Sequence, residues 1–322
     1  MSNEYSSKFA SYILALIATK RASGCTYETA EYYLHKFDTY CSFHAKSGTF
    51  SRDLILGWAK VKDSEGPGTH KVRISPIREL GKYMQLLGVP DVFVLPSALH
   101  RKTERYVPHF FTSQEIIRFF AACDNLKTHA GMYARHLVLP VYFRLLYCCG
   151  LRTGEARTLR ASDIDLQHGL IDIINSKGHR SRRIPISQDL LKLFRIYDKC
   201  VSKIYSNRIY FFPTTRSECY KGTSVSKVFR KIWKAANLEP GSGNKPRAYD
   251  FRHHFALSNL NRWIASGVDI NSKLPYLTRY MGHSSMESTD YYLHLVPEFF
   301  QTFSEMVRIT ENVLPEVGYD KE

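Results

Sequence analysis

The chain has 322 residues, 44% of them hydrophobic and 23% charged, a length that accommodates two domains with separate cores. No apolar run approaches the ~20 residues of a membrane span, and the seven cysteines form neither CxxC pairs nor a disulfide framework. The formal charge of +15, with a pI near 9.4, points to an anionic partner, and nucleic acid is the commonest large one.

The first residues, MSNEYSSKFASYILALIATK, hold a short apolar patch without a basic leader or small-residue cleavage site. The expected location is therefore the cytoplasm. From about residue 5 to 95, apolar positions recur at three- and four-residue spacing in SSKFASYILALIAT, TYETAEYYLHKFDTYCSFH and RISPIRELGKYMQLLG. This pattern predicts a helical domain over 1–97, with SEGPGTHK breaking the helical run. Residues 98–108, basic and with little periodicity, read as a linker. Thr112 or Ser113 then caps a helix in TSQEIIRFF.

The remainder, 109–322, is mixed. HLVLPVYFRLLYCCGLRTGEARTLRASDIDL predicts helix with a turn at Gly150. GLIDIINSKGHRSRRIPIS predicts two short strands joined by a polar turn. Helices are expected from about 187, 223, 250, 273 and 285, and a last amphipathic one from about 297 to 313. The predicted class is mainly α with a small antiparallel β-sheet (α+β).

Several residues of this second part suit phosphate chemistry. Arg152 follows the helix break, with Glu155 three residues on, and Arg252 lies at a helix start among aromatic and His residues. Guanidiniums offer paired N–H donors to a phosphate that loses its water. Lys177, at the tip of the predicted hairpin, can protonate a leaving oxygen. In RYMGHSSMESTDYYLHL, His283 precedes Tyr292 by nine residues, and on one unbroken helix the two would face opposite ways. Gly282 reads as a helix stop and Ser284 with Glu287 as a capping-box restart, a bend that brings an imidazole and a phenol together. Tyr291 and Tyr292 lie about 100° apart on a helix, so only one faces such a pocket. His253, His254, His283 and His294 lack zinc spacing, and GSGNKP lacks the later Gly-Lys-Ser/Thr of a phosphate loop. Neither a metal nor a cofactor is expected.

GLRTGEARTLRASDID, the Lys177 turn, YDFRHHFA and MGHSSMESTDYYLH, in this order, resemble the boxes of the tyrosine recombinase (phage integrase) family. RYVPHFFTSQEI is similar to the start of that family's catalytic domain, and the first 95 residues to its core-binding helical domain. The resemblance implies that Arg152 and Arg252 hold the scissile phosphate and that Lys177 is the general acid for the 5′-hydroxyl. His283 becomes a phosphate or nucleophile contact and Tyr292 the nucleophile. Tyr249 stands where the second box usually has His. A phenol can hydrogen-bond a phosphate but is a poor base near neutral pH, so Tyr249 is expected to contact the phosphate or the attacking oxygen.

The implied activity is site-specific recombination of double-stranded DNA through a 3′-phosphotyrosyl intermediate. The domains would close as a C-shaped clamp, with a homotetramer on two paired core sites and a C-terminal helix docked on a neighbour. The alternatives are a type IB-like topoisomerase and a non-catalytic DNA-binding relative. The helical pattern begins within a few residues of Met1, so simple core sites with few accessory factors are expected.

Overall fold

The computed structural model describes residues 5–45, 48–99, 107–127, 134–176, 180–238, 245–283, 285, 289 and 292. The chain divides into two compact units, Met1–Arg105 and Tyr106–Glu322.

In the first unit the apolar spacing becomes four helices, α1 (Ala10–Ala22), α2 (Glu28–His44), α3 (Arg52–Ala59) and α4 (Pro67–Leu86). Their buried faces, among them Ile13, Leu34, Phe37, Ile55 and Ile77, form one core. SEGPGTHK breaks the helical run with its first half, between α3 and α4, and its second half opens α4. Gly66 is the N-cap and Pro67 sits in the first turn, where a missing N–H costs nothing. The short α3 is capped by Ser51, whose side chain accepts from Leu54 N. Its eight residues are too few to repeat an apolar period, so it had no sequence signature of its own.

The second unit begins its helices with α5 (Ser113–Asp124). Thr112 is the cap, exchanging hydrogen bonds with Glu115 in a full capping box. Next come α6 (Arg135–Cys149) and α7 (Thr153–Thr158), separated by the turn at Gly150. The helix expected to run on through ASDIDL ends at Thr158. Arg160 N donates to Asp163 Oδ2 (2.8 Å) and Ala161 N to Ile209 O (2.9 Å), which closes a short 3₁₀ turn over Ala161–Asp163. Ile164–Asp165 then form a strand, β1, that sequence periodicity did not show.

β1 pairs antiparallel with β2 (Leu170–Ser176), which pairs antiparallel with β3 (Arg180–Pro185). The predicted hairpin is therefore two strands of a three-stranded sheet. Its register sets Ile171 opposite Ile184 and Ile173 opposite Arg182, while Asp172 faces Arg183. Ile171, Ile173 and Ile184 are buried, so the two-residue period of a strand puts Arg182 on the inner face and Arg183 on the outer one. Four further helices follow: α8 (Gln188–Ser202), α9 (Gly222–Ala235), α10 (Asp250–Ala265) and α11 (Ile270–Met281). α6 runs through the middle, against α5, α7, α8 and α10. Phe119, Phe229 and Phe251 interlock beside it at ring separations of 5.0 to 5.7 Å. α10 and α11 pack on each other, and α11 also meets β3. Among the described residues no helix is long and apolar enough to cross a membrane.

Candidate active site

The C-terminal turn of α11 gathers the site. A helix leaves its last carbonyls without intrahelical partners, and they carry partial negative charge. Three consecutive carbonyls here each accept from a different arginine. Tyr280 O takes Arg182 Nε at 2.7 Å, Met281 O takes Arg252 Nη2 at 2.7 Å, and Gly282 O takes Arg152 Nη2 at 2.7 Å. The three arginines come from β3, the first turn of α10 and the N-cap of α7.

Two glycines make this convergence possible. Gly150 ends α6 in the left-handed region at φ 58°, and a Cβ there would stand 2.5 Å from the Phe255 ring. That turn aims Arg152 across to α11 and exposes Gly150 O, which accepts Arg252 Nη1 at 2.8 Å. Gly282 ends α11 at φ 67°, with Arg182 Nη1 only 2.7 Å from where a Cβ would lie. An L side chain at either position would be strained and crowded.

Glu155, whose side chain is 5% exposed, stands among these cations. It accepts Arg152 N (3.0 Å) and Nη1 (2.7 Å), then Arg182 Nη1 (3.1 Å) and Nη2 (2.9 Å). Among the described residues three guanidiniums gather beside this carboxylate. Arg252, 1% exposed, has its proton affinity lowered by burial first and then by Arg152. A second anion placed here would relieve that repulsion.

His283 follows Gly282 directly. Its Nδ1 lies 2.8 Å from Thr289 Oγ1, which lies 2.8 Å from Thr278 Oγ1. Thr278 in turn directs its hydroxyl at Leu274 O (2.8 Å). In that ordering Nδ1–H donates to Thr289 and Nε2 is left to accept. Burial, followed by Arg252, Arg152 and Arg182, pushes the His283 imidazole down to about 4, so it is neutral at pH 7. Tyr292, 3% exposed, lies with its ring nearly parallel to His283 at 6.1 Å and 5.6 Å from His253. His253 is likewise pushed down to about 4, mainly by burial. Tyr249, the N-cap of α10, is partly exposed and meets the His253 ring edge-on at 5.2 Å. A cleft of about 630 Å³ opens beside Arg182, Arg279 and His283.

Of the residues singled out by sequence, Arg152, Arg252 and His283 are brought together around α11, and Tyr292 stacks on His283. Tyr249 reaches the group through His253. Lys177, Tyr291, the restart at Ser284 and Glu287, and the helix expected over 297–313 lie outside the described residues. Sequence reasoning passed over Arg182 and Thr289. Arg182 had a signal, because in RSRRIP it is two residues from Ile184 and so shares its face, whereas Arg183 does not. Thr289 had none. Among the described residues no group of three or more His, Cys, Asp or Glu side chains could hold a metal ion.

The Phage integrase family matches residues 109–298, more than half of the chain. The chain belongs to the phage integrase family. Among curated proteins it is 25% identical over 282 residues to the tyrosine recombinase XerC of Oceanobacillus iheyensis, covering 84% of this chain and 86% of that protein. It is 23% identical over 300 residues to the tyrosine recombinase XerD of Rhizobium meliloti, covering 90% and 92%. Among solved structures, the XerH site-specific recombinase bound to difH substrate in a pre-cleavage complex aligns with a TM-score of 0.64 at 17% identity. That alignment covers 90% of this chain and 82% of XerH, and it establishes a shared fold.

Proposed function

We propose that this integrase-family chain is a site-specific DNA recombinase that cuts and rejoins duplex DNA with Tyr292 as its nucleophile. The observation that carries the reading is the convergence of Arg152, Arg182 and Arg252 on the end of α11, beside a Tyr292 stacked on neutral His283. Three guanidiniums gathered in a largely buried site suit a phosphodiester entering its transition state. The Tyr292 hydroxyl attacks phosphorus and gives its proton to the His283 Nε2 side of the site or to water. The bond to the 5′-oxygen breaks, and Lys177 protonates that oxygen as it leaves. Tyr249 hydrogen-bonds a phosphate oxygen. The product is a 3′-phosphotyrosine and a free 5′-hydroxyl, and a partner strand's hydroxyl reverses the step. One phosphodiester-like bond replaces another, so the exchange conserves bond energy.

In this reading residues 1–97 form the core-binding domain, 98–108 the basic linker and 109–322 the catalytic domain. The two domains close around duplex DNA as a clamp. Four copies act on two paired core sites, each docking its C-terminal segment on a neighbour. The setting is the nucleoid of a prokaryotic cytoplasm, and the element served is of the integrase or transposase type. Support comes from the +15 charge and from the XerH neighbour, which is bound to its substrate.

The test is covalent capture on a nicked suicide duplex. Tyr292→Phe abolishes the adduct and leaves DNA affinity nearly intact, while Tyr291→Phe still forms it. An adduct that persists in the first variant and vanishes in the second moves the nucleophile by one residue.

A further inference from the structure

We propose that the cleft beside His283 receives unpaired DNA strand flanking the scissile phosphate. Tyr276 is the surface on which one unpaired base stacks, and Arg279 contacts the backbone of that strand. The inference rests on the recombinase reading above and names the form of DNA that this part of the site takes.

The cleft holds about 630 Å³. β3 lines it with Arg182 and Arg183, α11 with Tyr276, Arg279 and Tyr280, and His283 lines it too. Positions three and four apart share one face of a helix, so Tyr276, Arg279 and Tyr280 point the same way from α11. The two tyrosines nevertheless differ. The Tyr280 hydroxyl donates to Pro185 O at 3.2 Å and its ring stacks on Phe255 at 5.6 Å, which builds it into the wall. Tyr276, one turn earlier, is 72% exposed. The guanidiniums differ in the same way. Arg182 is held by Glu155 and by Tyr280 O, and Arg183 is forked on Asp172 at 2.7 and 2.8 Å. Arg279 is exposed. Tyr276 and Arg279 thus present an open ring and an open cation one turn apart.

Strand exchange supplies what such a surface can hold. A cut strand must leave its complement before its hydroxyl can attack a partner, so nucleotides beside the cut pass through an unpaired state. Within a duplex a base is stacked on both faces and offers only its edges to the grooves. Once unpaired it exposes a π-face that an aromatic side chain can cover, while a nearby cation follows the backbone. Proteins hold single strands by this combination. Seven residues separate Tyr276 from His283, about 10 Å along a helix. The ring therefore lies within a few nucleotides of the phosphate that the reading above puts beside His283. Stacking there lowers the cost of unpairing and takes no part in the attack by Tyr292.

The experiment uses the full chain with a short duplex and with the same duplex carrying a central mismatch, in which one mismatched base is 2-aminopurine. Anisotropy of an end label reads affinity, and 2-aminopurine emission, which falls when the base stacks, reads stacking. The wild type is expected to bind the mismatched duplex about tenfold more tightly and to quench its 2-aminopurine. Tyr276→Ala is expected to reduce that preference to under about threefold and to leave the emission high. Its side chain is largely exposed, so the substitution costs little stability. Tyr276→Phe keeps the ring and is expected to retain both the preference and the quenching. Arg279→Gln is expected to lower the slope of log K against log salt on the mismatched duplex by about 0.7 to 0.9. A preference that survives Tyr276→Ala overturns the stacking role. So does a preference lost equally in Tyr276→Phe, which would make the hydroxyl the contact. An unchanged salt slope in Arg279→Gln overturns the backbone contact. Covalent capture on a suicide duplex is measured with the same protein. A wild type that forms the adduct but prefers neither duplex overturns this inference alone. One that forms no adduct and binds neither duplex overturns the recombinase reading with it.

Discussion

Each unit of this protein buries arginine, but to opposite ends. In the first unit Arg73, 3% exposed, gives Nε and Nη2 to the two oxygens of Glu65 at 2.7 Å each. Its remaining donors go to Trp58 O and to Lys60 O (2.8 Å), and its guanidinium lies over the Trp58 ring at 5.3 Å. One cation meets one anion, and the guanidinium locks the α3–α4 connection. In the second unit Arg152 and Arg182 share the Glu155 carboxylate, and they and Arg252 each give a donor to one of three helix-end carbonyls. Burial of an arginine is thus not itself a sign of function. What sets the second unit apart is that three guanidiniums converge on one helix end, where a further anion would be stabilised.

The contrast can be broken most directly at its two centres. Arg252→Ala is expected to slow single-turnover cleavage by about 10²–10³-fold or more, since a donor aimed at the transition state is lost. Cleavage at the wild-type rate would remove Arg252 from the chemistry. Arg73→Ala is expected to cost the first unit about 3–5 kcal/mol, because Glu65 is left buried and uncompensated. The urea midpoint of that unit reads this, and an unchanged midpoint would refute the lock.

Acidification separates the units by a different route. His253 and His283 are held near 4, below their ordinary 6.5, so the folded second unit resists a proton that the unfolded chain accepts. Their contribution is full above about pH 6.5 and is lost as the pH falls toward about 4. Glu65 is shifted the same way but from 4.5, chiefly by hydrogen bonds from Arg73, so its contribution is lost only at lower pH. The second unit should therefore soften first. Of the three tryptophans, Trp58 lies in the first unit and Trp233 and Trp263 in the second. Fluorescence of a Trp233→Phe/Trp263→Phe variant against Trp58→Phe follows each unit separately, and coincident acid transitions would contradict the assignment.

The smallest expected difference is none at all. Ser51 caps α3 and Thr112 caps α5, each accepting from the backbone N–H three residues on. Ser51→Ala and Thr112→Ala should each cost about 1 kcal/mol. A much larger loss at Thr112 would mean that Glu115, which also meets His109 at 3.1 Å, ties that cap into the wider core.

Much of this architecture was legible before any coordinates. Apolar spacing in TYETAEYYLHKFDTYCSFH and RISPIRELGKYMQLLG marks α2 and α4, because a 3.6-residue period needs only the sequence to be seen. The alternation in LIDIINS and RSRRIP marks β2 and β3 for the same reason. α3 and β1 escaped because eight and two residues carry too little period, and what holds β1 is its pairing of Ile164 with Ile171. Arg152 and Arg252 were singled out by residue type and place at helix boundaries, and His283 and Tyr292 by the resemblance of their box to that of the phage integrase family.

By itself, then, the sequence determined which side chains are present and the local periods that order them into helices and strands. It also determined the glycines at 150 and 282, whose left-handed turns, φ 58° and 67°, no other residue adopts so readily. Only the tertiary structure decided that three arginines spread over a hundred residues of sequence meet at the carbonyls of Tyr280, Met281 and Gly282. It also decided that Arg182 belongs among them and that Thr289 orients the imidazole. The reason is physical. Hydrophobic periodicity is a property of neighbours along the chain, whereas a cluster of arginines is a property of neighbours in space, and the second is set only when α7, β3, α10 and α11 come together.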